Sequence, residues 1–119
     1  MLFWLPQKDM LKKPQRITSG KDFQNIYRRG RHLSSAFFGI NYLRNNFGFS
    51  RLGVVVSKKT ARKATDRNLY KRRVREILRL HYSKITAGFD IIITLKGSVR
   101  EADFKKLEKE LLEIINRLK

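Results

Sequence analysis

Cysteine is absent from the 119-residue chain, which excludes a disulfide scaffold, a thiolate nucleophile and cysteine-ligated zinc or iron–sulfur centres. A reducing compartment is permitted. Histidine occurs only at His32 and His81, and nothing along the chain assembles a metal-ligand cluster or a nucleophile, base and orienter. Acids are scarce as well: ten Asp and Glu face 28 Lys and Arg, a formal charge of +18. A free monomer gains nothing from such self-repulsion, so a polyanionic partner is expected. No apolar run approaches the roughly 20 residues of a membrane span, and Met1 to Leu5 is shorter than the roughly 7–15-residue core of a signal peptide. A cytoplasmic protein with no membrane partner is the expectation. Internal repeats, low-complexity tracts and domain linkers are also missing.

What is present suffices for a core. Hydrophobic residues make up 41% of the chain, including eight Phe, four Tyr and one Trp, which argues against disorder. The length suits one domain. Residues 1–9 read as an extension, flexible or fixed to a surface by Phe3 and Trp4. Met10 offers a second plausible start, and residues 10–119 form the expected domain. Ser19 and Asp22 read as a helix cap, followed by Phe23, Ile26 and Tyr27 on a short amphipathic helix that Gly30 ends. Residues 33–43 and 51–58 are β-rich runs separated by Asn45, Asn46 and Gly48, which predicts an antiparallel hairpin. A long helix within about 60–82, a third strand at 89–96 and a last helix complete an α, β, β, α, β, α order. In that last helix Phe104, Leu107, Leu111, Ile114, Ile115 and Leu118 recur at helical spacing. Opposite charges stand four apart at Glu101/Lys105, Lys106/Glu110, Lys109/Glu113 and Glu113/Arg117.

The charge is unevenly spread. Residues 51–84 hold 12 cations and two acids and residues 1–50 hold nine and two, whereas residues 101–119 balance at five and five. On the long helix, Tyr70, Val74, Ile77, Leu78 and His81 share the sector that should be buried, which makes His81 a packed core side chain. On the flank, Arg67, Lys71, Arg75 and Arg79 follow at steps of four, with Asn68 and Arg72 in the same band. Each like-charge pair at that spacing costs roughly 0.2–0.5 kcal/mol. A solvated face would mix signs, but this band holds no acid, Asp66 and Glu76 falling outside it. Arg predominates, which suits bidentate phosphate contacts. Lys58, Lys59 and Arg62 lie just ahead of the helix as helpers.

The stretch RLGVVVSKKTARKATDRNLYKRRVREIL resembles the signature of the bacterial ribonuclease P protein component. In that signature a strand ending in a Ser-Lys-Lys-like run leads into a helix bearing Arg-Asn, Lys-Arg and a further Arg. The matching positions are Ser57, Lys58, Lys59, Arg67, Asn68, Lys71, Arg72 and Arg75. DFQNIYRRG at 22–30 is similar to the family's first helix, and residues 10–119 fit in order. Two positions depart from the pattern. Leu69 stands where a second Arg follows Arg67-Asn68, and Asn41 stands where the first strand usually carries an aromatic, leaving Phe37 as the nearer substitute.

The resemblance implies an α+β fold, an αββαβα sandwich of a small mixed sheet and helices with a left-handed βαβ crossover, as in some ribosomal proteins. It also implies a non-catalytic subunit of a ribonucleoprotein endonuclease that removes the 5′ leader of precursor tRNA. The RNA subunit performs the hydrolysis with magnesium that it holds itself; the protein, expected to be a monomer, binds that RNA and the leader. Phe23 and Tyr27 then become stacking platforms in a leader cleft, with Phe37, Asn41 and Ser57 on the same open sheet face as Gly39, Gly53 and Val55. Arg79 extends the RNA-binding band. The competing readings are a ribosomal or nucleoid-type basic protein, which would need no stacking aromatics, and a stand-alone nuclease, which would need a catalytic constellation.

Overall fold

The computed structural model describes residues 13–118; the expected extension at 1–9 and Met10 lie outside them. Helix α1 spans Gly20–Arg29. Its first turn is capped by Ser19, whose hydroxyl accepts a hydrogen bond from the Asp22 amide, and the Gly30 amide closes the last turn onto Ile26. A side chain at Gly30 would sit 2.5 Å from the Ile26 carbonyl oxygen and 2.6 Å from that of Tyr42, so only glycine lets this helix end touch the sheet.

The sheet contains β1 (Arg31–Ser34), β2 (Phe38–Arg44), β3 (Arg51–Val56) and β4 (Phe89–Leu95), in the order β1-β2-β4-β3. The expected strand at 33–43 is thus two strands with a turn at 35–37, where Ser35 caps the Phe38 amide. The expected hairpin between 33–43 and 51–58 does not form: β4 lies between them, antiparallel to β2 and parallel to β3. The reason is visible in β4 itself. Ile91, Ile92 and Ile93 are all buried, and three consecutive buried residues need cover on both faces, which only an interior strand has. The loop at 45–50 is also fastened to the start of β4. Asn45 donates to Phe49 and to Asp90, and the Ser50 hydroxyl donates to Thr86 while accepting from the Phe89 amide.

Helices α2 (Ala64–Leu80) and α3 (Phe104–Ile115) cover one face. Val74, Ile77 and Leu78 of α2 and Leu107, Leu111, Ile114 and Ile115 of α3 join Phe38, Ile40, Val54, Val56, Ile91 and Ile93 in the main core. Asp103 caps α3 by accepting from the Lys106 amide. None of the four expected charge pairs along 101–117 closes; Glu108 bonds instead to Nε2 of His81 at 2.8 Å. His81 is therefore a half-buried clasp between α2 and α3 and not an apolar core residue. On the opposite face α1 forms a smaller core, Ile26 and Ile17 against Ile92.

Candidate nucleic-acid interface

The second sheet face sets glycines and polar residues around the buried Ile92. Register places His32, Asn41, Ile92 and Gly53 in one row and Ser34, Gly39, Thr94 and Val55 in the next. Helix α1 crosses this face with Ile26 packed on Ile92 of the first row and Phe23 over Gly53 of the same row. Gly53 carries the closest approach: a Cβ there would stand 2.9 Å from Cζ of Phe23 and 3.1 Å from its Cε1. The Phe23 ring rests on bare backbone, half-buried. Tyr27, one turn on, is 47% exposed. Ile26 is the fully buried contact of α1, while Phe23 packs only partly against the same cluster and Tyr27 stands outside it.

Arginines frame this ring. Residues 16 and 17 run beside β3, with the Ile17 amide donating to Leu52 at 2.9 Å, and this brings Arg16 to the cavity of about 140 Å³ that Phe23, Gly53 and Arg75 line. Nε of Arg16 is buried without a hydrogen-bond partner among the described residues. Desolvation, and then the neighbouring charge of Arg16, lower the pKa of Arg75. Two cations held this close favour an anion between them. Arg75, assigned by sequence to the helix band alone, is therefore shared between the band and the cleft. Arg16 was missed, because nothing in a residue preceding the first cap signals that it lies along β3.

Helix α2 divides its cations more finely than its spacing suggests. Arg67 lies only about 20° from Leu78 around the helix at 100° per residue, close to the buried sector. Its Nη1 donates to the carbonyls of Ala61 at 3.0 Å and Arg62 at 2.7 Å, so it organises the loop ahead of the helix. Arg79 pairs with Glu76 at 3.3 Å, so an acid does reach the band at its far end. Asn68 and Arg72 are exposed and Lys71 is half-exposed. Ahead of the helix, Ser57 is spent on a turn: its hydroxyl accepts from the Thr60 amide and its carbonyl from the amides of Thr60 and Ala61. Thr60 in turn donates to Leu95. That turn, not the open face, is the place of Ser57, and it presents Lys58, Lys59 and Arg62 to solvent.

Phe37 also departs from its expected place. It lies in the turn before β2, outside the alternation of the strand, and leans on the main core, so it does not replace the aromatic missing at Asn41. Asn41 is on the open face, half-buried and paired with Ile92. Leu69 is exposed on the outer side of α2.

Arg51 was not singled out in the sequence, yet it fixes the cleft. Its Nε and Nη2 hold the Asp90 carboxylate at 2.8 and 2.6 Å, and its Nη1 reaches Asp22 of α1 at 3.3 Å. The hydrogen bond to Asp90 raises the arginine's pKa, and the guanidinium lies 4.6 Å above the Phe47 ring. Asp22 thus ties α1 to the sheet in addition to standing in its first turn. Among the described residues no three metal-ligating side chains converge. No helix among them is long and apolar enough to cross a membrane.

The family model for ribonuclease P matches residues 11–119. A ribonuclease P protein component from Thermoanaerobacter sp. (strain X514) is 36% identical over 106 residues, covering 89% of this chain and 90% of that one. The solved ribonuclease P protein from Thermotoga maritima superposes with a TM-score of 0.81 at 34% identity, over 87% of this chain and 97% of that one. A Staphylococcus aureus ribonuclease P protein superposes with a TM-score of 0.77 at 29% identity, over 86% and 93%.

Proposed function

The chain belongs to the ribonuclease P protein family, and on that premise we propose how its surface is divided between the RNAs of the enzyme. It is the protein subunit of the ribonucleoprotein endoribonuclease, a partner of the ribonuclease P RNA. Lys58, Lys59, Arg62, Asn68, Lys71 and Arg72 contact phosphates of that RNA. Arg67 holds the loop from which three of them project, and Arg79 contributes at the end of the band. The cleft between α1 and the open sheet face takes the single-stranded 5′ leader of precursor tRNA, with Phe23 and Tyr27 stacking on bases and Arg16 and Arg75 on the intervening phosphates. Asn41 lies along the same floor.

One observation carries the cleft reading: an aromatic ring seated on a glycine beside two arginines, one with a buried Nε that has no partner among the described residues. A structural aromatic needs no such cations, whereas a stacked nucleotide brings both a π-face and a phosphate. Magnesium belongs to the RNA in this reading. The described residues offer no carboxylate cluster fitted to hold it, and no step of the reaction is assigned to this chain's side chains. The protein acts as a single copy, in the cytoplasm.

The test is reconstitution. Mixed with a cognate ribonuclease P RNA at low magnesium, the protein should restore cleavage of a precursor tRNA at its 5′ end, while the protein alone cleaves nothing. Cleavage by protein that has been freed of RNA by nuclease treatment, and that falls on mutation of its carboxylates, would refute this reading.

A further inference from the structure

The function described above leaves part of the cationic excess of residues 1–50 unused. Three of those cations come together on a cavity of about 330 Å³ lined by Arg29, Arg31, Arg44, Tyr42, Leu43 and Phe89. Arg29 is the last residue of α1, Arg31 the first of β1 and Arg44 the last of β2, so the junction of α1 with β1 meets the end of β2. The convergence is built: Gly30 presses the end of α1 against the Tyr42 carbonyl, and Arg31 is paired with Tyr42, and Arg44 with Phe89, in the sheet. The guanidinium of Arg44 lies 5.1 Å from the centre of the Phe89 ring.

No acid lines this cavity, and among the described residues Arg29, Arg31 and Arg44 form no ion pair. Bringing three guanidiniums together without a carboxylate costs electrostatic energy unless an anion joins them. Tyr42 and Phe89 are buried, so the floor offers no ring face for a base to stack on and no apolar patch for a lipid or a hydrophobic peptide. What remains is a mouth of planar donors suited to phosphate oxygens. The cavity lies by β1 and β2, whereas α2 packs near β3, so the same RNA segment need not serve both.

We propose that the Arg29–Arg31–Arg44 cavity is a second phosphate-binding site for RNA, separate from α2 and from the leader cleft, so that the protein grips RNA at both edges of its sheet. This rests on the RNA-binding function above.

The experiment measures affinity against salt for the wild type, for Arg29→Gln/Arg31→Gln/Arg44→Gln and for the charge-preserving triple Lys variant. One arm uses the ribonuclease P RNA alone, and the other uses precursor tRNA and the assembled holoenzyme. Losing three phosphate contacts should lower the log–log salt slope by about 2–3 and weaken binding about 10²-fold at 0.15 M salt. The Lys variant should keep most of the slope. A loss in the first arm assigns the cavity to the RNA subunit, and a loss in the second arm alone assigns it to the precursor. Single Arg29→Gln and Arg31→Gln changes, each removing about one unit of slope, decide the matter should the triple variant melt early. Unchanged slopes in both arms, including the case of an acidic peptide binding here instead, overturn the inference. A wild type with no salt-dependent RNA binding overturns the parent function instead.

Discussion

Replacing Gly53 with alanine tests the cleft at its tightest point. The new methyl would stand 2.9 and 3.1 Å from two carbons of the Phe23 ring, short by about 0.5–1 Å of the roughly 3.5–4.0 Å optimum for carbon pairs. Gly53 lies in a strand laddered to β4 on one side and tied to residue 17 at the adjacent Leu52 on the other, so the half-buried ring is the softer partner and is the one that moves. Overpacking of this kind costs about 1–3 kcal/mol, and the lower end applies because Phe23 is half-buried and has an open cavity to swing into. Displacing the ring should also forfeit much of a base stack worth about 1–3 kcal/mol. The affinity of the holoenzyme for precursor tRNA should therefore fall about five- to thirty-fold, while mature tRNA, lacking the leader, binds as before. The decisive assay is a double-mutant cycle with Phe23→Ala, read by urea denaturation and by precursor binding. Once the ring is gone, the nearest remaining atom is Cβ of Ile17 at 3.6 Å, an ordinary contact. In that background Gly53→Ala should cost less than about 0.5 kcal/mol in either measurement. Additive effects of the two substitutions would refute the reasoning, as would a Gly53→Ala protein that keeps full preference for precursor over mature tRNA.

Arg51→Met should destabilise the fold by about 3–5 kcal/mol in urea titrations, because it leaves the Asp90 carboxylate buried without its bidentate partner, whereas Arg51→Met/Asp90→Leu should regain most of that loss. Neutralising Lys58, Lys71 and Arg72 together should flatten the salt dependence of binding to ribonuclease P RNA by about 2–3 in log–log slope; the same number of changes at Lys105, Lys106 and Lys109 should leave it unaltered. Arg67→Gln should lower the melting temperature, since two loop carbonyls lose a charged donor whose bonds are worth about 1.5–3 kcal/mol each, while Lys71→Gln should weaken RNA binding without that thermal cost. Tyr27→Ala, at an exposed position, should weaken precursor binding by about 1–3 kcal/mol with almost no change in stability.

Local signals were legible in the chain because they act over three or four residues. Ser19 capping the first helix, the buried stripe of Val74, Ile77 and Leu78, and the one-sided cations of the long helix all follow from helical periodicity, and composition alone demanded an anionic partner. Sheet order was not legible. Residues 33–43 and 51–56 are neighbours in sequence, and only the need to bury both faces of Ile91–Ile93 puts β4 between them. Strand alternation placed Asn41 and Gly53 on one face, but it failed at Phe37, where the chain turns and parity no longer holds. The roles of Arg67, Arg79 and Ser57 depended on partners outside the helix pattern or on a turn, so a cation count could not tell a phosphate ligand from a loop brace. Arg16 meeting Arg75, Arg51 joining Asp22 to Asp90, and Arg29, Arg31 and Arg44 converging on one cavity are all products of tertiary packing. Each joins side chains from separate elements, brought together by strand pairing and by the packing of helices on the sheet.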